Sequence, residues 1–165
     1  MADEIRYSVG IVPVEELTTE NATTQDVIAS EVGKSLGGSG QAAVTDYSGN
    51  ADVQGYKDAA VNYREAIDSA DTTDLSSETT ASFVFIKNTG YTYSSATVLG
   101  AALDKSLKVM VGTTLISILD AGEAIVLKDD NAGIDCSGIH VRTVDTDGSE
   151  NASAGHLAVE FLVVD

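Results

Sequence analysis

The sequence has no tryptophan, one cysteine (Cys136), one proline (Pro13) and only 5% aromatic residues among its 165 residues. A single cysteine excludes an intrachain disulfide and a multi-cysteine zinc site. With so few aromatics, the core must be built from Val, Ile, Leu and Ala. These small aliphatic side chains, recurring at every second position, favour β-sheets over helical bundles. The length suits one domain with an additional arm.

Basic residues are also scarce, with 9 Lys and Arg against 26 Asp and Glu and a formal net charge of −17. Such a surface repels nucleic-acid phosphates and anionic lipid headgroups, both of which require clustered Lys and Arg. We therefore expect neither a nucleic acid nor a membrane as a partner. An acidic chain with few lysines is typical of halophilic proteins, in which salt screens self-repulsion. An acidic surface on a mesophilic protein explains the composition equally simply.

Long apolar runs are missing as well. None approaches the roughly 18–20 residues that a membrane-spanning helix needs. The N-terminus, "MADEIRYSVG", is acidic and lacks the basic region and apolar core of a secretory signal. We therefore expect no signal peptide there and no spanning helix.

The pattern that is present is one of short strands in residues 80–165. Six or seven apolar runs recur at roughly 8–12-residue spacing, separated by Gly, Asp and Asn. In "SLKVMV", for example, Leu107, Val109 and Val111 share one face of the predicted strand. The spacing predicts a mainly β protein whose C-terminal domain, residues 80–165, is an antiparallel, jelly-roll-like β-sandwich.

Residues 1–79 have a different pattern of apolar residues. The alternation in "IRYSVGIVPV" predicts an N-terminal strand, and apolar spacings of three to four residues over 23–36 and 56–67 predict one or two short helices. The polar stretch "DSADTTDLSSETTAS" marks the boundary. We interpret residues 1–79 as an assembly region. Its predicted contact residues are Ile5, Tyr7, Val9, Ile11, Val12 and Val14.

Motifs for catalysis are weak. "GKSLG" at 33–37 matches the G-x-S-x-G pattern around Ser35, but the preceding residues do not predict the strand that a nucleophile elbow needs. A phosphate-binding loop is excluded because Ile28 stands where its first glycine should be. Asp120 and Glu123 lie in a predicted turn, where carboxyls stay solvated. We therefore expect no enzymatic activity.

Two acidic loops, "DDNAGID" and "DTDGSEN", place oxygen-bearing side chains around a glycine, as flexible calcium loops do. Neither has the twelve-residue helix-loop-helix spacing, and Asp, Asn and Gly are also the commonest hairpin residues. No cofactor is expected, and Ca²⁺ stays open as the weaker alternative. Its candidate ligands are Asp129, Asn131, Asp135, Asp145, Asp147 and Asn151.

Three segments carry a resemblance to a known class. "FVFIKNTG" (83–90), "LDAGEAIVL" (119–127) and "GIHVRTV" (138–144), followed by a closing strand, resemble the small jelly-roll or β-sandwich structural proteins of tailed viruses. In that class "IKN-(T/S)-G" opens the sheet and "L-x-x-G-E" forms a hairpin across the sandwich. Ala121 stands where the class usually has proline. The resemblance covers residues 80–165.

The resemblance implies a virion structural protein, foremost a capsid decoration or cement protein on the capsid exterior, present in the host cytoplasm during assembly. It implies a homo-oligomer, with a trimer as the expected symmetry. The oligomer would contact the major capsid protein or other virion proteins, in a virus of a saline or haloarchaeal host. The alternatives are a small head-tail, tail or spike component, or a carbohydrate-binding adhesion sandwich. For the adhesion alternative, Tyr91 and Tyr93 are the candidate contacts.

Overall fold

A computed structural model describes residues 3–11, 14–18, 24–28, 36–44, 53–54, 56–57, 60–69, 73–129 and 131–164. By its internal contacts the chain divides into two compact units. One unit is Glu4–Ala43, and the other is Val44–Asp165 together with Met1–Asp3.

Where the smaller unit is described, it has four strands: β1 Asp3–Ile11, β2 Val14–Thr18, β3 Thr24–Ile28 and β4 Leu36–Val44. β1 pairs with β4, and β2 pairs antiparallel with β3. The helix predicted over 23–36 is therefore wrong where the chain is described. Thr24, Val27 and Ile28 are β-branched, which favours an extended backbone, and β2 supplies the pairing partner. Residues 29–35 lie outside the described part.

In its described residues, the larger unit contains twelve strands and one 3₁₀ turn, Cys136–Gly138. The strands are β5 Val53–Gln54, β6 Tyr56–Lys57, β7 Ala60–Val61, β8 Tyr63–Ala66, β9 Thr73–Asp74, β10 Phe83–Ser95, β11 Val98–Ala102, β12 Ser106–Val111, β13 Thr114–Leu119, β14 Ala124–Lys128, β15 Ile139–Val144 and β16 Leu157–Val164.

The second predicted helix, over 56–67, is also wrong, because this segment forms β6, β7 and β8. β8 runs antiparallel to β16, with Tyr63 opposite Glu160 and Ala66 opposite Leu157. The spacing of Tyr and Ala fitted one face of a helix as well as a strand. Pairing with β16, together with the burial of Ala66 in the core, selects the strand.

Apart from the two-stranded sheet of β6 and β7, the described part of this unit is formed by two larger antiparallel sheets. The first has the order β11-β10-β16-β5, with β14 also paired to β10 and β8 also paired to β16. The second has the order β13-β12-β15-β9. Buried residues of both sheets belong to one hydrophobic core: Val84, Ile86, Leu107, Val109, Ile139, Val141, Leu157, Val159, Phe161 and Val163.

A core shared by the inner faces of two antiparallel sheets is the arrangement of a β-sandwich. The predicted mainly β, antiparallel fold is confirmed, and the jelly-roll connectivity stays a prediction. Strands β5, β8 and β9 lie N-terminal to residue 80 and pair with β16 or β15. The compact unit therefore begins before the boundary predicted at residues 79/80. The assignment of residues 1–79 to assembly stays a prediction.

On one side of the sandwich, hydrogen bonds connect the second sheet to β8 and to the segment that follows it. Thr143 of β15 is fully buried; its Oγ1 donates to the Ala66 carbonyl at 2.7 Å and accepts from the Leu157 amide at 3.0 Å. Arg142 donates from Nε and Nη2 to the Asp68 carbonyl at 3.2 and 3.1 Å. These bonds link β15 of the second sheet to β8 and β16 of the first.

On the other side, the two sheets are connected at Asn88, where β10 changes its pairing partner. Phe83–Lys87 pair with β14, whereas Tyr91–Ser95 pair with β11. The fully buried Asn88 side chain donates from Nδ2 to the carbonyls of Lys105 and Leu119, both at 2.9 Å. Lys105 precedes β12 and Leu119 ends β13. One side-chain amide therefore bonds to both connections between the sheets, the one from β11 to β12 and the one from β13 to β14.

The turn between β13 and β14 is hydrogen-bonded to the backbone of the same residue, Asn88. The Gly122 amide donates to the Asn88 carbonyl at 2.9 Å, and the Asn88 amide donates to the Glu123 carbonyl at 3.0 Å. Glu123 Oε2 accepts from the Asp120 amide at 2.9 Å, and Ser106 Oγ donates to Asp120 Oδ1 at 2.5 Å. Asp120 and Glu123 are thus turn residues, as their sequence context indicated.

Replacing Asn88 should test this junction. Asn88→Ala removes both bonds from Nδ2 and the bond from the Gly90 amide to Oδ1, leaving buried carbonyls without a donor. We expect the free energy of unfolding to fall by about 3 kcal/mol, measured by urea denaturation. Asn131→Ala, in an exposed loop, is the matched control and should change it by less than about 0.5 kcal/mol. Equal effects of the two substitutions would contradict the structural role of Asn88.

Candidate functional site

Exposed apolar residues are concentrated where acidic residues are scarce. Residues 79–119 contain one acid, Asp104, where an even distribution of the 26 acids would place about six. Six of the seven large hydrophobic residues that are exposed in the described part of the chain lie in this segment. They are Tyr91, Val98, Val111, Leu115, Ile116 and Ile118. The scarcity of acids is visible in the sequence, whereas the exposure of the apolar side chains is visible only in the structure.

Four of these residues form a surface that we call the β13 edge: Val111, Leu115, Ile116 and Ile118. β13 is an edge strand, paired only with β12 among the described strands. Leu115 is 50% exposed and Ile116 43%, while Leu119 at the end of the strand is buried in the core. Edge strands are usually protected by charged residues, and exposed apolar patches mark interaction surfaces. The β13 edge has the properties of a contact surface.

The acidic loop Asp145–Asn151 lies against the outer face of the second sheet. Glu150 forms ion pairs with Lys108 of β12 at 2.8 Å and with Arg142 of β15 at 3.0 Å. A Cβ added to Gly148 would lie 2.7 Å from Ile118 Cδ1, so the loop backbone packs closely on β13. The loop therefore neutralises the basic residues of the sheet.

The calcium candidates of this loop have partners in the protein. Asp145 Oδ1 lies 2.5 Å from Lys105 Nζ, and Asp145 Oδ2 accepts from Asn151 Nδ2 at 2.9 Å. The hydrogen bond from Lys105, followed by that from Asn151, lowers the pKa of Asp145. Asp147 Oδ1 accepts from the Ser149 amide at 2.9 Å, and hydrogen bonds from Ser149 lower the pKa of Asp147.

The candidates of the other loop also stabilise turns. Asp129 Oδ1 accepts from the amides of Asn131 and Ala132 at 2.9 and 3.2 Å, and these bonds lower its pKa. Asp135 Oδ1 accepts from the amide and hydroxyl of Ser137 at 3.0 and 2.6 Å. Within the described residues, no group of three or more His, Cys, Asp or Glu could hold a metal ion. Calcium binding stays an untested alternative.

Cys136 is a core residue. Its side chain is fully buried, and this burial, together with the nearby charges of Glu78 and Asp135, raises the pKa of the thiol to about 12. A thiol that remains protonated is a poor nucleophile. Ser35 of the "GKSLG" motif lies outside the described residues.

An open cleft of about 310 Å³ lies beside the β10–β11 hairpin. We call it the tyrosine cleft; it is lined by Tyr63, Arg64, Glu65, Tyr93 and Ala96. The Tyr63 amide donates to the Ala96 carbonyl at 2.7 Å, which holds β8 against the hairpin. The predicted partner of Tyr93 was Tyr91, which is 43% exposed but does not line the cleft. The structure instead brings Tyr93 together with Tyr63.

The predicted assembly residues are only partly described. Ile5, Tyr7, Val9 and Ile11 alternate along β1, and Val14 begins β2. Val9 is 49% exposed and Tyr7 is half-buried. Val12 lies outside the described residues, as do the side chains of Ile5, Ile11 and Val14.

Comparisons of the chain with protein-family models, curated proteins and solved structures find no match in any of the three. The resemblance to virion proteins therefore rests on the sequence segments alone. No helix in the described part of the chain is long and apolar enough to cross a membrane.

The contribution of Asp145 should depend on pH. Because its pKa is lower in the folded than in the unfolded chain, its stabilisation is fully present above the pKa of an unfolded aspartate, about 3.9, and is lost as pH falls through the folded pKa. We expect the difference in melting temperature between the native protein and Asp145→Asn to shrink below about pH 4. Asp104→Asn removes one exposed carboxylate elsewhere and controls for the loss of a single acidic residue. A constant difference for Asp145→Asn would contradict the role assigned to Lys105.

Proposed function

We propose that this chain is a non-enzymatic virion structural protein, a capsid decoration or cement protein that stabilises the head by oligomeric contacts with the major capsid protein. The observation that carries the proposal is the coincidence of exposed apolar side chains with the scarcity of acids in residues 79–119. The resemblance of "FVFIKNTG" and "LDAGEAIVL" to virion sandwiches supplies the biological setting.

Electrostatics limits where such a chain can be contacted. Two copies that each carry a net charge of −17 repel one another over most approaches, especially at low salt. The cores of protein interfaces are depleted of charged residues and enriched in apolar ones. Within the described residues, the β13 edge meets both conditions, since β13 has no acidic residue. Among the described surfaces, the β13 edge is therefore the one where close contact meets the least electrostatic repulsion.

The N-terminal unit supports the same function. Its described strands form two-stranded sheets, β1 with β4 and β2 with β3. An isolated two-stranded sheet is marginally stable in water and gains stability when a further surface covers it. Val9, exposed on β1, is the kind of residue that such a surface would cover. We propose that this unit makes intersubunit contacts in a homo-oligomer, with a trimer as the working model.

The location in the virion is proposed from the resemblance. A protein on the capsid exterior needs no basic surface, because it does not contact the packaged genome. The acidic composition suits a virus of a saline or haloarchaeal host, with the protein in the host cytoplasm until assembly. A small head-tail, tail or spike component would use the same contact surfaces and is the alternative location.

A single charge should disrupt assembly through the β13 edge. In Ile116→Asp, a carboxylate enters the apolar contact and must be desolvated there. We expect the dissociation constant of the oligomer to rise at least ten-fold over that of the native protein. Sedimentation velocity in concentrated KCl measures it. Ala152→Asp adds the same charge at an exposed turn and should have no effect. Unchanged sedimentation of Ile116→Asp, or a native protein that is monomeric and does not bind capsids, would refute the proposed contact.

Removal of residues 1–14 tests the N-terminal unit. We expect the deletion to abolish oligomerisation or capsid attachment, because it removes the whole of β1, while the sandwich of the larger unit stays folded. Sedimentation and binding to capsids measure assembly, and circular dichroism measures folding. A shortened protein that still assembled normally would show that the N-terminal strand is not an assembly element.

A further inference from the structure

The tyrosine cleft contains polar groups that have no partner among the described residues. Within the described part of the chain, the phenolic hydroxyls of Tyr63 and Tyr93 and the guanidinium of Arg64 make no hydrogen bond or ion pair. The other cationic side chains described there do interact with neighbours, as in the pair of Lys87 with Glu160. Although the chain has 26 acids, Arg64 has no acidic partner in the part of the chain that the structure describes.

We propose that the tyrosine cleft is a binding site for a neutral saccharide, a function separate from assembly. Sugar rings present apolar C–H faces and a rim of hydroxyls that both donate and accept hydrogen bonds. The cleft offers the matching groups: two aromatic rings, the Arg64 donors and the Glu65 acceptor. Ligand sites commonly combine aromatic walls with a few polar groups that fix orientation.

The Glu65 carboxylate is held in place by a neighbouring strand. His156, immediately before β16, places Nδ1 2.7 Å from Glu65 Oε1. The Tyr93 amide donates to the His156 carbonyl at 2.9 Å, so the same residue also fixes the backbone of Tyr93. Two residues of the cleft are thus positioned by one residue outside it, which lowers the entropy lost on binding.

The charges of the cleft favour a neutral ligand. Arg64 would repel a cation, whereas Glu65 and the overall charge of −17 would repel an anion such as a phosphate or an acidic sugar. A neutral polyol can use both side chains at once. The volume, at the lower end of the range of about 300–1,000 Å³ for small-ligand sites, suits one or two sugar rings.

The test uses an array of immobilised neutral and acidic oligosaccharides, followed by titration calorimetry of the full chain with the neutral glycan that binds best. We expect Tyr93→Ala to weaken binding at least ten-fold, about 1.4 kcal/mol, because it removes one wall. Arg64→Gln should weaken binding by several-fold. Tyr91→Ala removes an exposed tyrosine of the same strand outside the cleft and should leave binding unchanged. Melting temperatures verify that each variant is folded.

The outcomes separate the alternatives. Binding of a neutral glycan that depends on Tyr93 and Arg64 but not on Tyr91 supports the site. Binding that depends on Tyr91 alone overturns the placement, and Arg64-dependent selectivity for acidic glycans overturns the ligand class. Failure of every glycan to bind the folded native protein overturns the proposal entirely. None of these results bears on assembly, which the β13 edge variants test separately.

Discussion

The buried amide of Asn88 is the interaction on which the arrangement of the sandwich depends. At this residue β10 passes from pairing with β14 to pairing with β11, and the chain crosses between sheets before β12 and after β13. A single Nδ2 group bonds the backbone at both crossings. Because unpaired carbonyls in a core are costly, this bonding favours one register over its alternatives. The turn Asp120–Glu123 then has a fixed place against β10, and β13 is held at the edge of its sheet.

The position of β13 links fold to proposed function. The inner face of the strand contributes Leu119 to the core, while Leu115, Ile116 and Ile118 remain exposed. The loop Asp145–Asn151 neutralises Lys108 and Arg142 on the neighbouring strands. Acidic residues thus occupy the turns and loops around the second sheet, whereas the β13 edge lacks them. A strongly acidic protein thereby keeps one apolar surface available for contact, which is the physical basis of the proposed assembly role.

The sequence predicted the larger unit better than the smaller one. β12 and β16 were predicted from short runs rich in Val and Leu, and both segments are strands. The helices predicted over 23–36 and 56–67 were wrong where the chain is described, because the spacings of Val, Ile, Tyr and Ala fit either a helix face or a strand. Pairing with other strands, such as that of β8 with β16, selects the strand. The tyrosine cleft was missed for the same reason, since Tyr63 and Tyr93 are brought together only by tertiary pairing. Asn88 lay within the quoted "IKNTG", but a lone asparagine gives no sign of burial.

The most direct test of the central claim is amide hydrogen exchange of Thr114–Leu119 in concentrated salt, measured by mass spectrometry at increasing protein concentration and on capsids. If the β13 edge is the contact surface, these amides become protected as the oligomer or capsid complex forms, while those of the Asp129–Asp135 loop do not change. If Thr114–Leu119 exchange equally fast in the free and assembled states, the edge is not a contact surface and the account is wrong.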